Sequence, residues 1–234
     1  MRRAYRIVMS MALFACTASA QAHMVWLESD PAPAGQGLRT RAYFGEWAEG
    51  LREKTGGYLD WIKNPVAFAD DANKPFAITR GADYLEVAAG SAQDVRLIEA
   101  MAPYADKEHG GHTRTVFLAR SGRADTQARL DLELIPVSAG GNDFVLRFKG
   151  QALAKTKLTV FGPPKWSREL STDDAGRVTL STPWAGRYLV ELEHIDAAAG
   201  KAGDAGYDRT RYVFTLSFLN DKGIAWPWQE DAAP

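Results

Sequence analysis

Four histidines, His23, His109, His112 and His194, carry the clearest potential for metal chemistry in this chain of 234 residues. The neutral imidazole ring is the commonest metal ligand among side chains. His23 follows Ala20-Gln21-Ala22, a small-x-small sequence of the kind a signal peptidase cuts. Cleavage at that point leaves His23 with a free amine, and amine and ring Nδ1 can then chelate one ion together. A second histidine would complete the three-nitrogen arrangement called a histidine brace. Such ligation favours Cu(II), with Ni(II) and Co(II) weaker. If the chain is not cut there, His23 simply opens an edge strand in phase with Val25 and Leu27.

The second constellation is Asp106-Lys107-Glu108-His109-Gly110-Gly111-His112. It gathers oxygen and nitrogen donors in one short loop, and its two glycines allow the backbone to fold so that both rings converge. The same composition also suits an ordinary solvated loop. His194 ends a strand on the face of Tyr188, Val190 and Leu192, as a metal ligand or as a hydrogen-bonded ring at the sheet rim. Its neighbour Glu193 points to the opposite face. No G-x-S-x-G elbow or phosphate loop is present, and no spacing pairs a nucleophile with a base, so a binding role without catalysis is expected.

Residues 1–22 read as an export signal, with Arg2, Arg3 and Arg6 followed by an apolar run from Ile7 to Cys16. The run is well short of the roughly 20 residues of a transmembrane helix. Cleavage falls before Gln21 or before His23, or, if Leu13-Phe14-Ala15-Cys16 acts as a lipidation box, at Cys16. Export predicts a periplasmic product that does not span the membrane. The one cysteine, Cys16, lies inside the signal, so the mature chain has neither disulfides nor thiolate sites. Loss of three arginines takes the formal charge from −1 to −4, because residues 1–22 hold no acid. A mildly acidic chain with no basic run argues against nucleic acid as a partner.

The elements that must position the histidines are strands. Short alternating runs occur at residues 23–28, 38–44, 75–79, 84–88, 95–99 and 115–119, with one short helical piece at residues 57–63. A polar linker follows at residues 120–126. Beyond it, runs at residues 130–135, 144–148, 157–161, 177–180, 186–194 and 212–219 are joined by Gly and Asp turns. The expectation is an all-β chain of two tandem β-sandwich domains, 23–122 and 127–219, with the short helix in the first and a tail at 220–234. The strand order of the second resembles transthyretin-like or carboxypeptidase-regulatory-like sandwiches. Residues 197–206, rich in Ala and Gly, read as a mobile loop. Trp226 and Trp228 in the tail are expected to pack back onto a domain, and most other tryptophans to serve as packing.

Five motifs together carry a family resemblance: residues 23–28 (His-Met-Val-Trp-Leu-Glu), 43–46 (Tyr-Phe-Gly-Glu), 161–166 (Phe-Gly-Pro-Pro-Lys-Trp), 183–188 (Pro-Trp-Ala-Gly-Arg-Tyr) and Glu193-His194. They resemble a bacterial periplasmic family of unknown function, labelled a nickel- or cobalt-uptake (NikM-like) periplasmic component. The resemblance spans nearly the whole mature chain and implies export, two β-rich domains and a link to transition-metal ions. His23 and His194 lie within the matching motifs; His109 and His112 do not. The expected function is therefore a periplasmic protein that binds Ni, Co or Cu and serves a membrane metal-uptake system. The alternatives are an adhesion module for a glycan or protein ligand, and a copper oxidase of the polysaccharide monooxygenase kind.

Overall fold

A computed structural model describes residues 23–32, 37–163 and 166–225. The expected signal, its cleavage points and the tail tryptophans Trp226 and Trp228 lie outside the described residues. The chain is all-β, as its alternating pattern predicts, and its strands form three main sheets with the largest in the middle.

The first sheet holds β1 (Met24–Pro31), β2 (Leu38–Glu46), β3 (Leu51–Arg52), β5 (Ile78–Arg80) and β6 (Leu85–Val87). The central sheet runs in the order β14 (Trp166–Ser171), β13 (Lys157–Gly162), β16 (Gly186–Asp196), β19 (Arg209–Asn220), β9 (His112–Ser121), β7 (Val95–Ala100) and β4 (Val66–Phe68). A short β8 (Tyr104–Ala105) is added to β9. The third sheet contains β10 (Leu132–Pro136), β11 (Asp143–Phe148), β12 (Gln151–Ala152) and β15 (Arg177–Thr179). Residues 197–206 do not form a plain loop, because β17 (Gly200–Ala202) and β18 (Ala205–Tyr207) pair there as a hairpin.

The central sheet takes strands from both sides of the expected boundary at residues 123–126. Its β9 pairs in parallel with β19 from Arg209 to Ser217, the one parallel pairing among the named strands. A parallel pair needs a long crossover, and here most of the C-terminal half supplies it. Each face of the sheet carries its own core. Phe117, Ala119, Leu189 and Val213 pack with Val25, Leu27 and Phe44 of the first sheet. Tyr188, Val190, Leu192, Phe214 and Leu216 pack with Leu132, Leu134, Phe144 and Leu146 of the third. The period-two alternation along β16 and β19 is what lets one strand serve two cores.

Where β7 crosses β9, that alternation sets two arginines opposite one another. Arg96 and Arg120 are cross-strand partners, and both are fully buried. Like charges so placed repel. Glu133, from β10 of the third sheet, answers them. Its Oε1 accepts Arg96 Nε at 2.7 Å and Arg120 Nη1 at 3.0 Å. Its Oε2 accepts the amides of Arg129 and Leu130. Asp94 takes Arg120 Nη2 at 2.6 Å and the amides of Ala124 and Asp125 at 2.9 Å. The segment expected to be a linker is thus held down by buried charges. Gly122 admits the close approach, since a Cβ there would lie 2.1 Å from the Gln93 carbonyl oxygen.

Glu133→Ala would leave two guanidinium groups buried without their shared anion. Its expected cost is about 3–5 kcal/mol, the range for breaking a buried pair from one side. Urea unfolding should show it as a large drop in midpoint. Removing Glu169 from its exposed pair with Lys157 should change stability by under about 1 kcal/mol.

Candidate metal centre

β1 is the outer strand of the first sheet, and its free edge does not face solvent. The Thr215 hydroxyl donates to the Val25 carbonyl at 2.8 Å, and the Ser217 hydroxyl donates to the Leu27 carbonyl. Two side chains of β19 thereby stand in for a neighbouring strand, satisfying an edge that would otherwise invite pairing with another chain. This docking fixes the direction of β1 and therefore the position of His23 at its head.

The register of β1 on β2 pairs Met24 with Gly45 and so sets His23 opposite Glu46. After Glu46 the chain turns back as β3, and Gly45 permits that return. Its φ is 150°, and a Cβ at this position would sit 2.1 Å from the Leu51 carbonyl oxygen. The Glu53 amide then donates to the Phe44 carbonyl at 2.8 Å. Glu46 and Glu53, one on each arm of the hairpin, are brought to the two nitrogens of one imidazole.

His23 Nε2 meets Glu53 Oε1 at 2.6 Å, a short charge-assisted contact. His23 Nδ1 lies 3.4 Å from Glu46 Oε1, beyond the usual hydrogen-bond range. The ring packs against Phe44, with centroids 5.3 Å apart, and meets the edge of Tyr58 at 5.7 Å. The imidazole is 31% exposed, so an ion can reach it from solvent. Arg52, directly before Glu53, is engaged elsewhere: it donates to Glu28 at 3.2 Å and lies over the Tyr43 ring. Among the described residues, Glu46 and Glu53 form ion pairs with His23 alone.

The 3.4 Å spacing has a chemical meaning. Two donors bound to one tetrahedral ion at 2.0–2.1 Å are themselves about 3.3–3.4 Å apart. Nδ1 and the Glu46 carboxylate stand at that separation, which is also that of a long ion pair; the adjacent donors of a tetragonal Cu(II) or Ni(II) ion lie closer together, so either ion would draw Glu46 inward. Glu53 on Nε2 matches the carboxylate that orients a metal-bound histidine through its other nitrogen. Side chains alone do not complete a site. No three His, Cys, Asp or Glu side chains among the described residues are grouped to hold one ion. A histidine with a free α-amine can chelate through that amine and Nδ1 together, which would supply the missing donor.

The other three histidines do not join it. His194 lies on the opposite face of the central sheet, continuing the side that packs on the third sheet. Its ring rests on Phe148 with centroids 4.4 Å apart, and burial holds its pKa below the ordinary value. Glu193, on the other face as its position predicts, pairs with Arg211. In the 106–112 loop, Gly110 and Gly111 adopt φ of 70° and 73°, which gives the tight fold their sequence suggests. Asp106 takes the centre of that fold. It accepts the amides of His109 and Glu108, the Thr113 hydroxyl and Arg209; the His109 amide foremost, with Thr113 and the Glu108 amide, holds its carboxyl at about 2. The His109 ring is largely exposed, 3.3 Å from Asp106. His112 begins β9 and lines an open depression with Lys201, Tyr207 and Asp208.

Sequence reasoning passed over Glu53, which falls in no recognisable motif, and Glu191. The latter is Thr215's cross-strand partner on the face that receives β1. Its Oε2 is buried without a hydrogen-bond partner, and burial, reinforced by the charge of Glu193, pushes its carboxyl up to about 7.

No protein-family model matches the chain, and no match is found among curated proteins or solved structures. The reading of this site therefore rests on its geometry.

Two outcomes follow from that geometry. Gly45→Ala drives a Cβ into the Leu51 carbonyl, and its expected cost is about 2 kcal/mol or more, read from thermal and urea unfolding. Glu191 titrates higher in the folded state than in the unfolded chain. Its contribution is therefore present in full below its ordinary value of 4.5 and lost as pH rises through about 7. Unfolding curves measured from pH 4 to pH 8 should show this decline, and Glu191→Gln should flatten it.

Proposed function

We propose that the mature protein is a periplasmic transition-metal-binding protein whose ion is held by the α-amine and Nδ1 of His23 together with Glu46. The observation that carries this reading is the imidazole set between two carboxylates, with Nδ1 facing Glu46 at 3.4 Å and Nε2 gripped by Glu53. The amine becomes available when the chain is cut between Ala22 and His23. Two nitrogens and one oxygen form a donor set for Cu(II), followed by Ni(II) and Co(II). The acidic balance of the pocket favours a cation, and its partial exposure suits a protein that takes up an ion and gives it away. The resemblance of residues 23–28 and 43–46 to the NikM-like periplasmic family supports the same assignment and suggests a membrane metal-uptake system as recipient.

Calorimetric titration of protein beginning at His23 should show one Cu(II) site and a weaker Ni(II) site. A Gly/Ser extension ahead of His23 with a proline directly before it should abolish high-affinity binding, because the amine is moved away and the proline nitrogen, which has no proton to lose, blocks a new chelate of Gly-Gly-His type. Glu53→Gln should weaken binding by about 10–100-fold, as for other carboxylates that orient a ligating histidine. Equal affinity in the extended and native-start proteins would remove the proposal.

A further inference from the structure

The face of the central sheet that receives β1 carries a carboxyl the fold leaves unanswered. Glu191 on β16 stands between Thr159 of β13 and Thr215 of β19, its cross-strand partners. Its Oε2 is buried with no hydrogen-bond partner. The charges that share this face already have partners. Glu193 and Arg211 pair with each other, and Arg187 reaches Glu28 and Asp30 of β1. On the next two strands Lys157 pairs with the exposed Glu169. No cation is left to hold Glu191 in its ionised form. Burial first, and then the like charge of Glu193, push its carboxyl up to about 7. Both of its forms are therefore present around neutral pH.

Its neighbour on β19 is the hydroxyl that seats β1. Opposed residues of antiparallel strands have Cβ atoms about 4.5–5.5 Å apart, so a Glu191 carboxylate lies within reach of the Thr215 hydroxyl. A hydroxyl has one proton to give, and Thr215 gives it to the Val25 carbonyl at 2.8 Å. A neutral carboxyl competes weakly for that proton. A carboxylate competes strongly, because charge-assisted hydrogen bonds are roughly twice as strong as neutral ones. We propose that Glu191 and Thr215 form a pH latch on the free edge of β1. With Glu191 neutral, the Thr215 proton stays on Val25 and the edge is seated. With Glu191 ionised, the proton turns to the carboxylate, water takes its place at the Val25 carbonyl, and the head of β1 comes away. Ser217, opposite Leu189, has no acid beside it and keeps its hold on Leu27, which confines the opening. The latch needs no metal, although the strand it releases carries His23.

Hydrogen exchange of the metal-free mature protein, measured in chelator, tests the latch. The amides of residues 24–26 should exchange through a local opening, faster than those of residues 116–119 and indifferent to low urea. Corrected for intrinsic rates, their protection should fall about tenfold from pH 6 to pH 8. That size is set by one carboxyl titrating at about 7 when seated and 4.5 when released. Glu191→Gln should remove the fall. Glu193→Gln, a change at an exposed side chain, should move its midpoint to lower pH by taking away the like charge. Thr215→Val should lower the protection of residues 24–26 already at pH 6. A fall that persists in Glu191→Gln would belong to a histidine instead and would overturn the latch. So would a midpoint unmoved in Glu193→Gln, full protection in Thr215→Val, or β1 amides as slow and as urea-sensitive as those of β9.

Discussion

Everything in the molecule is arranged around two arginines that should not be neighbours. Arg96 and Arg120 face each other across β7 and β9 with no access to solvent, and Glu133 and Asp94 neutralise them from two directions. The Coulomb attraction must offset a desolvation cost of several kcal/mol per ion, which it does only when every donor is satisfied. Here the other hydrogen bonds run to the Asp125 carboxylate and to the carbonyls of Ala69, Gly122, Asp125 and Gln127. The third sheet, the crossover segment after β9 and the middle of the central sheet are fixed by one set of charges. An apolar replacement could be as stable, but it would not specify which strand of the third sheet meets which strand of the second.

From that fixed centre the candidate metal end follows by short steps. β9 and β19 lie side by side in the central sheet, so the hydroxyls of Thr215 and Ser217 have a defined place. They seat the free edge of β1 by its carbonyls. β1 sets the register of β2, and Gly45 lets β3 return close enough to bring Glu53 back to the ring that Glu46 already faces. Few of these residues touch the imidazole, yet its two nitrogens are positioned by all of them.

Much of the architecture was legible in the residue pattern. The alternating runs at residues 95–99, 157–161, 186–194 and 212–219 lie within β7, β13, β16 and β19, because each must present one face to a core. What the pattern could not carry was sheet membership. Leu189 and Val190 read alike as inward and outward residues of a two-layer sandwich, whereas here each packs in a different core. The sequence 197–206 hid its hairpin because Ala and Gly carry no alternation. Residues 120–126 looked like a linker for the opposite reason: their polarity signalled solvent, while their backbone amides are bound by Asp94. Of the candidate site, His23 was legible through the small residues before it. Glu53 was not, since its closeness to the ring depends on a return turn created by a single glycine.

The separation of the histidines sharpens what kind of site this can be. A brace built from two distant histidines would need His194 on the same face as His23, and the central sheet stands between them. The remaining nitrogen donor at Nδ1 is the α-nitrogen, which in the uncut chain is an amide. An amide nitrogen bonded to Ala22 is a poor ligand, whereas a free amine is a good one. Under the proposed assignment, the donor set does not exist until the signal is removed, which happens on the far side of the inner membrane. Metal capture is then tied to arrival in the periplasm by the chemistry of one peptide bond, and the folded scaffold contributes Glu46, Glu53 and the aromatic walls in advance of it.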